Sequence, residues 1–172
     1  GDRVALMMPN MIQYPIAMFG ALRAGLVLVN TNPLYTPREM RHQFVDSGAK
    51  AIIIAENFAA NLEQVIADTQ IKTVILTSIG EMLGFKGYIV NFVVRHIKKM
   101  VPKFNLSNTV NFKTALKQGK NFSIPAFPSN SEDVVALQYT GGTTGVSKGT
   151  MLTNRNLVAN MLQIRAWFRL VS

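Results

Sequence analysis

The chain has 172 residues, 48% of them hydrophobic and 16% charged, a length and composition that can bury a core and that exclude a disordered tail. Lysine and arginine number 18 against 9 acidic residues, a net charge of +9, and cysteine is absent, which rules out disulfides and thiolate metal sites and suits the cytoplasm. No cleavable signal pattern opens the chain and no apolar run is long enough to span a bilayer, so a soluble protein, or one lying on the inner face of a membrane, is expected.

The first third alternates strand and helix. Residues 3–8 are apolar and strand-like. Residues 11–24 carry Tyr14, Met18, Ala21 and Leu22 at helical spacing, and Gly25 can close that helix in the left-handed conformation. Pro15 must lie in the first turn or bend the helix. Residues 26–30 form the next strand. Thr36 and Glu39 then have capping-box spacing, Pro37 stands at the first helical position, and the helix stops near Gly48. A strand over 50–55, a helix over 59–68 and a strand over 72–77 complete the alternation, which predicts an α/β fold with a parallel sheet covered by helices. No repeat or low-complexity tract interrupts it.

The basic excess is concentrated. Residues 82–131 hold eight basic and no acidic side chains. Within that stretch Ile89, Phe92, Val93, Ile97, Met100 and Val101 form a helical stripe, while Asn91, Arg95, Lys98 and Lys99 point elsewhere. Residues 82–103 are therefore read in two ways: a basic amphipathic helix lying on an anionic membrane, or a helix packed on its own domain with a solvated basic face. Nucleic acid is not expected as a partner, because no recognised binding motif accompanies the charge.

Residues 133–139 and 149–152 read as two short strands flanking a loop. The loop residues Thr140, Gly141, Gly142, Thr143, Thr144, Gly145 and Lys148 combine three glycines, three threonines and one lysine. That mixture suits phosphate: glycines bring bare N–H groups against an oxyanion, hydroxyls donate further bonds, and the ammonium supplies a point charge. A nucleoside triphosphate is the natural ligand. The Walker A pattern fails because Ser147 precedes the lysine and Gly149 follows it, and the dinucleotide pattern fails on glycine spacing. After the loop, Thr153 or Asn154 can cap a helix whose apolar stripe is Leu157, Met161, Ile164 and Phe168. Trp167, Phe168 and the methionines are read as packing residues, His42 and His96 as structural, and Tyr139 either as a wall of the site or as core. No metal cluster is visible.

The run from Thr140 to Gly149 resembles the phosphate-loop signature of the adenylate-forming enzymes, a superfamily that includes acyl-CoA synthetases, luciferases and peptide-synthetase adenylation domains. The likeness extends to residues 1–6, 15–25, 32–36 and 91–94, and is nearest to bacterial long-chain fatty acyl-CoA synthetases. Ser147 departs from the family by standing where proline is frequent, and Asn154 where histidine often follows the threonine.

The resemblance implies a partial N-terminal adenylation domain over 1–172, with 82–131 as a basic insertion within it. It further implies ATP, Mg2+ and coenzyme A as cofactors or co-substrates, and a fatty acid that is converted to acyl-AMP and then to acyl-CoA. Lys148 is expected on the β,γ-phosphates or the departing pyrophosphate, Thr140, Thr143 and Thr144 in hydroxyl contacts, and Gly141, Gly142 and Gly145 at close backbone approach. The family's adenine-recognition motif, acidic magnesium ligand and C-terminal domain with its catalytic lysine are not found in these residues. The isolated chain is thus expected to be inactive. The competing readings are a noncatalytic nucleotide-binding module and a basic membrane-association module.

Overall fold

A computed structural model describes residues 1–124, 128–140 and 147–171. The opening alternation is β1 (Arg3–Met7), α1 (Gln13–Arg23), β2 (Val27–Asn30), α2 (Pro37–Ser47) and β3 (Ala51–Ala55). Pro15 lies in the first turn of α1, where its missing N–H leaves no intrahelical bond unmade. The capping box of α2 is formed: Thr36 Oγ1 accepts from the Glu39 N–H at 3.4 Å, and the Glu39 carboxylate accepts from the Thr36 N–H at 2.8 Å. Gly48 ends the helix at a φ of 61°.

Residues 59–68 do not form the single helix that their pattern predicts. α3 covers Ala59–Glu63 only, and a separate 3-10 turn spans Ile66–Asp68. Between them Val65 takes a φ of −127° and turns its side chain into the core, which breaks the helix. The chain continues through β4 (Thr73–Thr77), α4 (Phe85–Phe92) with a π-helical turn over Val93–Ile97, β5 (Thr109–Asn111), α5 (Phe112–Gly119), β6 (Val134–Thr140), β7 (Lys148–Thr153) and α6 (Asn154–Val171). Both β5 and α5 lie within the basic segment, which therefore contributes to the sheet itself.

The strands form one sheet in the order β5-β4-β3-β1-β2-β6-β7. β1 to β6 pair in parallel, whereas β7 runs antiparallel to β6. The antiparallel edge on this otherwise parallel sheet has a simple cause: the few residues between β6 and β7 are too short for a crossover, so the chain folds back as a hairpin. Alternation along the strands splits the core between two faces. Ala5, Met7, Val29, Ile52 and Ile54 pack with Met40 and Phe44 of α2 and Leu62 of α3. Val4, Leu6, Leu28, Ile53 and Ala136 pack with Ala17 and Ala21 of α1 and Phe112 of α5.

Two apolar stripes do not pack as their spacing predicts. In α6, Met161, Ile164, Trp167 and Phe168 are exposed, the last two edge to face with ring centroids 6.4 Å apart. The helix leaves β7, which is the edge strand among the described residues. In α4 and the π-turn, Ile89, Phe92 and Ile97 are exposed while Asn91 and Arg95 bond to the domain. The helix therefore packs on its domain through its polar side, with Val93 and Val101 half-buried and Ile89, Phe92 and Ile97 facing outward.

Candidate functional site

The sheet's connectivity creates a crevice. From β1 the chain crosses through α1 on one face to β2, and from β2 it returns through α2 on the opposite face to β3, on the far side of β1. The carboxyl ends of β1 and β2 thus send their loops to opposite faces, and such a switch point is where open α/β sheets leave room for a ligand. A cleft of about 1110 Å³ lies there, walled by Met8 and Tyr14 after β1, Thr31 and Tyr35 after β2, and His42 and Gln43 of α2.

A polar ladder crosses the floor. Tyr14 Oη donates to Asn30 Oδ1 at 2.9 Å, and Asn30 Nδ2 donates to Gln138 Oε1 at 3.1 Å. Asn30 and Gln138 are register partners on β2 and β6, so the sheet itself fixes that bond. On the α2 side, Gln43 Nε2 donates to the Asn30 carbonyl at 2.8 Å. On the cleft-lining residues Gln43 and Ser147, Gln43 Oε1 and Ser147 Oγ are buried and have no hydrogen-bond partner among the described residues. Unpaired buried polar atoms are costly and rare.

Of the sequence-predicted site residues, Thr140 and Lys148 are described. They face each other as register partners at the mouth of the β6–β7 hairpin, both exposed. By strand alternation they share the face of Gln138, where the ladder ends. Gly141, Gly142, Thr143, Thr144 and Gly145 lie outside the described residues. The cleft wall includes Gln138, Tyr139 and Ser147, so the hairpin mouth adjoins the crevice.

Tyr139 resolves into both of its expected roles. Its ring belongs to the core cluster beneath α2, and its hydroxyl donates to Asp46 Oδ2 at 2.5 Å while its edge walls the cleft. Burial, reinforced by the hydrogen bond to Asp46, raises its ionisation well above the usual tyrosine range. Gly149, opposite Tyr139, has a packing reason to be glycine. A Cβ there would lie 2.9 Å from both Cε2 and Cζ of the ring.

Sequence reading missed the role of His42. Its Nε2 lies 2.8 Å from the Ser147 carbonyl oxygen, an acceptor, so Nε2 carries the proton and donates. The bond ties α2 to the residue just before Lys148, across 105 positions that no local pattern connects. The two cap candidates of α6 also divide their work. Thr153 Oγ1 accepts from the Asn156 N–H at 3.4 Å, whereas Asn154 Nδ2 donates to Ser129 Oγ and the Asn130 carbonyl ahead of β6. Among the described residues no group of three or more His, Cys, Asp or Glu could hold a metal ion.

The long-chain-fatty-acid–CoA ligase of Salmonella typhimurium is 55% identical over 169 residues, covering 98% of this chain and 30% of that protein. The enzyme of the same name from Bacillus subtilis is 35% identical over 97% of this chain. The chain thus spans about 30% of the length of these relatives. Among solved structures, a long-chain-fatty-acid-CoA ligase from Archaeoglobus fulgidus superposes with a TM-score of 0.68 at 26% identity, covering 95% of this chain and 27% of that one. The anthranilate CoA ligase AuaEII, at 18% identity and a TM-score of 0.70 over 90% of this chain and 25% of that one, shares the fold. The family model described as AMP-binding enzyme matches residues 1–171, and the chain belongs to that family.

Proposed function

We propose that the protein containing this chain is an ATP-dependent acid–thiol ligase that activates a long-chain fatty acid. In the first step a carboxylate oxygen attacks the α-phosphorus of ATP and the bond to the pyrophosphate oxygen breaks, giving acyl-AMP. In the second the thiol sulfur of coenzyme A attacks the acyl carbon, and AMP leaves with its oxygen. The first step brings an anion to a polyanion, so neutralising and positioning the phosphates is the protein's main task.

One observation carries the reading: a hairpin mouth with a threonine opposite a lysine adjoins a switch-point crevice. Lys148 is assigned to the β,γ-phosphates or the departing pyrophosphate. Hydroxyls of Thr140, Thr143 and Thr144 and N–H groups of Gly141, Gly142 and Gly145 are assigned to the phosphate oxygens. Magnesium would neutralise phosphate charge when bound, and none of the described residues is assigned as its ligand. Similarity to the named long-chain ligases supports a fatty acid as the acid.

A peripheral position on an anionic membrane through residues 82–103 belongs to the same proposal. The described residues include no helix long and apolar enough to cross a membrane. The isolated 172-residue chain is proposed not to complete the reaction, since it spans about 30% of its relatives.

The test is exchange of labelled pyrophosphate into ATP by the full-length protein, with and without fatty acid. Acid-dependent exchange is expected. ATP binding without it would instead support a noncatalytic nucleotide-binding protein.

A further inference from the structure

The helix over 85–97 is mounted inside out. Its polar side faces the protein: Asn91 Oδ1 accepts from the Gly80 N–H at 2.8 Å, and Asn91 Nδ2 donates to Ser78 Oγ at 2.9 Å. Arg95 forms a two-pronged ion pair with Glu56, Nε and Nη2 donating to the two carboxylate oxygens at 2.9 and 2.8 Å. Glu56 is nearly buried, so the guanidinium has a fixed and desolvated partner. The backbones of Gly80 and Gly87 touch so closely that a Cβ on Gly87 would stand 1.9 Å from the Gly80 carbonyl oxygen. A helix secured by such specific contacts is not rotated by chance.

The opposite side is apolar and open. Phe85 and Tyr88 are 82% and 75% exposed, and Ile89, Phe92, Ile97 and Met100 are each more than half exposed. At a helical repeat of about 100° per residue, Phe85, Tyr88, Ile89 and Phe92 fall on one face, opposite Gly87 and Asn91. Lys86 on the helix and Lys98, Lys99 and Lys103 just after it are all exposed. The surrounding segment, 82–131, contains eight basic and no acidic residues.

We infer that this outward face is a seat for an anionic lipid bilayer, with Phe85, Tyr88, Ile89 and Phe92 entering the interface and the lysines meeting phosphate headgroups. The inference deepens the membrane part of the proposed function by naming the face and its orientation. Charge selects the occupant. A second copy of this chain would bring the same unopposed lysines against each other, whereas an anionic surface attracts them at about 1 kcal/mol per lysine. Aromatic rings backed by cations are the combination that settles at a bilayer–water boundary. The polar latch to Glu56 and Ser78 keeps the seat facing outward before any membrane is met, so little ordering remains to be done on contact.

The experiment is flotation of the full-length protein with phosphatidylcholine vesicles, with and without 30% phosphatidylglycerol, over a salt series and without ATP or fatty acid. Binding to the anionic vesicles at low salt is expected. Phe85→Ser/Tyr88→Ser should weaken partition at least about tenfold at every salt concentration. Lys98→Gln/Lys99→Gln should weaken it about thirtyfold at low salt and make the salt dependence shallower. Phe85 and Tyr88 are exposed, so their replacement leaves the fold intact; circular dichroism checks this. Equal binding by the aromatic double variant overturns the inference. So does a change of oligomeric state in that variant with vesicle binding unaltered, which would make the face an interface between copies. Acid-dependent pyrophosphate exchange is measured separately in vesicle-free solution, so failure of the seat and failure of the ligase reading are seen independently.

Discussion

Gly149→Ala isolates the packing beneath the hairpin mouth. The new methyl carbon would sit 2.9 Å from Cε2 and Cζ of Tyr139, where ordinary contacts begin at 3.4 Å, an overlap of about half an ångström. The ring cannot yield freely, because Tyr139 is 7% exposed and its hydroxyl is bonded to Asp46 at 2.5 Å. Overpacking of this kind costs about 1–3 kcal/mol, which lowers the melting temperature by roughly 2–4 °C per kcal/mol in a domain of this size. The assay is a double-mutant cycle by urea denaturation of the full-length protein. Tyr139→Leu removes the ring end that the methyl meets, so Gly149→Ala should cost clearly less in that background, with a coupling of about 0.5 kcal/mol or more. Strict additivity, or a neutral Gly149→Ala in the native background, would refute the argument.

His42→Ala deprives the Ser147 carbonyl of its donor and should cost about 1 kcal/mol of stability. On the proposed reading it also raises KM for ATP severalfold, with partial recovery in His42→Gln, and unchanged ATP kinetics would count against the tether. Tyr139 holds its proton more tightly folded than unfolded, so its contribution is complete below pH 10 and is lost as the pH rises beyond it. Alkaline denaturation followed by circular dichroism should accordingly be shallower in Tyr139→Phe, and an identical pH profile would contradict the burial argument. Gly87→Ala forces the α4 backbone off Gly80, and limited proteolysis should then cut within residues 80–101 much faster than in the native protein.

Much of the architecture was legible because its signals are local. Thr36, Pro37, Glu39 and Gly48 mark the two ends of α2 through contacts that span four residues or fewer. Short apolar runs located β1 to β4, and contiguous glycines, threonines and a lysine pointed to the loop between β6 and β7 without any knowledge of the sheet. What escaped depends on distant partners. Nothing near His42 announces Ser147, and nothing near Gly149 shows that the Tyr139 ring will lie against it rather than along its own strand. β5 has only three residues, too few for a periodic signal. Its successor α5 could have been found from Asn111, whose side chain caps it by accepting from the Thr114 N–H. The stripe at 89–101 was seen, but its direction was not. Spacing defines a face, whereas Glu56, Ser78 and Gly80 decide which way that face points.

The most direct test of the central claim is fatty-acid-dependent pyrophosphate exchange by the full-length protein carrying Lys148→Ala. Lys148 is exposed at the hairpin mouth, paired in register with Thr140, so its removal should leave folding intact while depriving the transferring phosphates of a positive charge. Exchange should fall by about a hundredfold or more with an unchanged melting temperature. Exchange at the native rate would contradict the assignment of this hairpin to the phosphates of ATP.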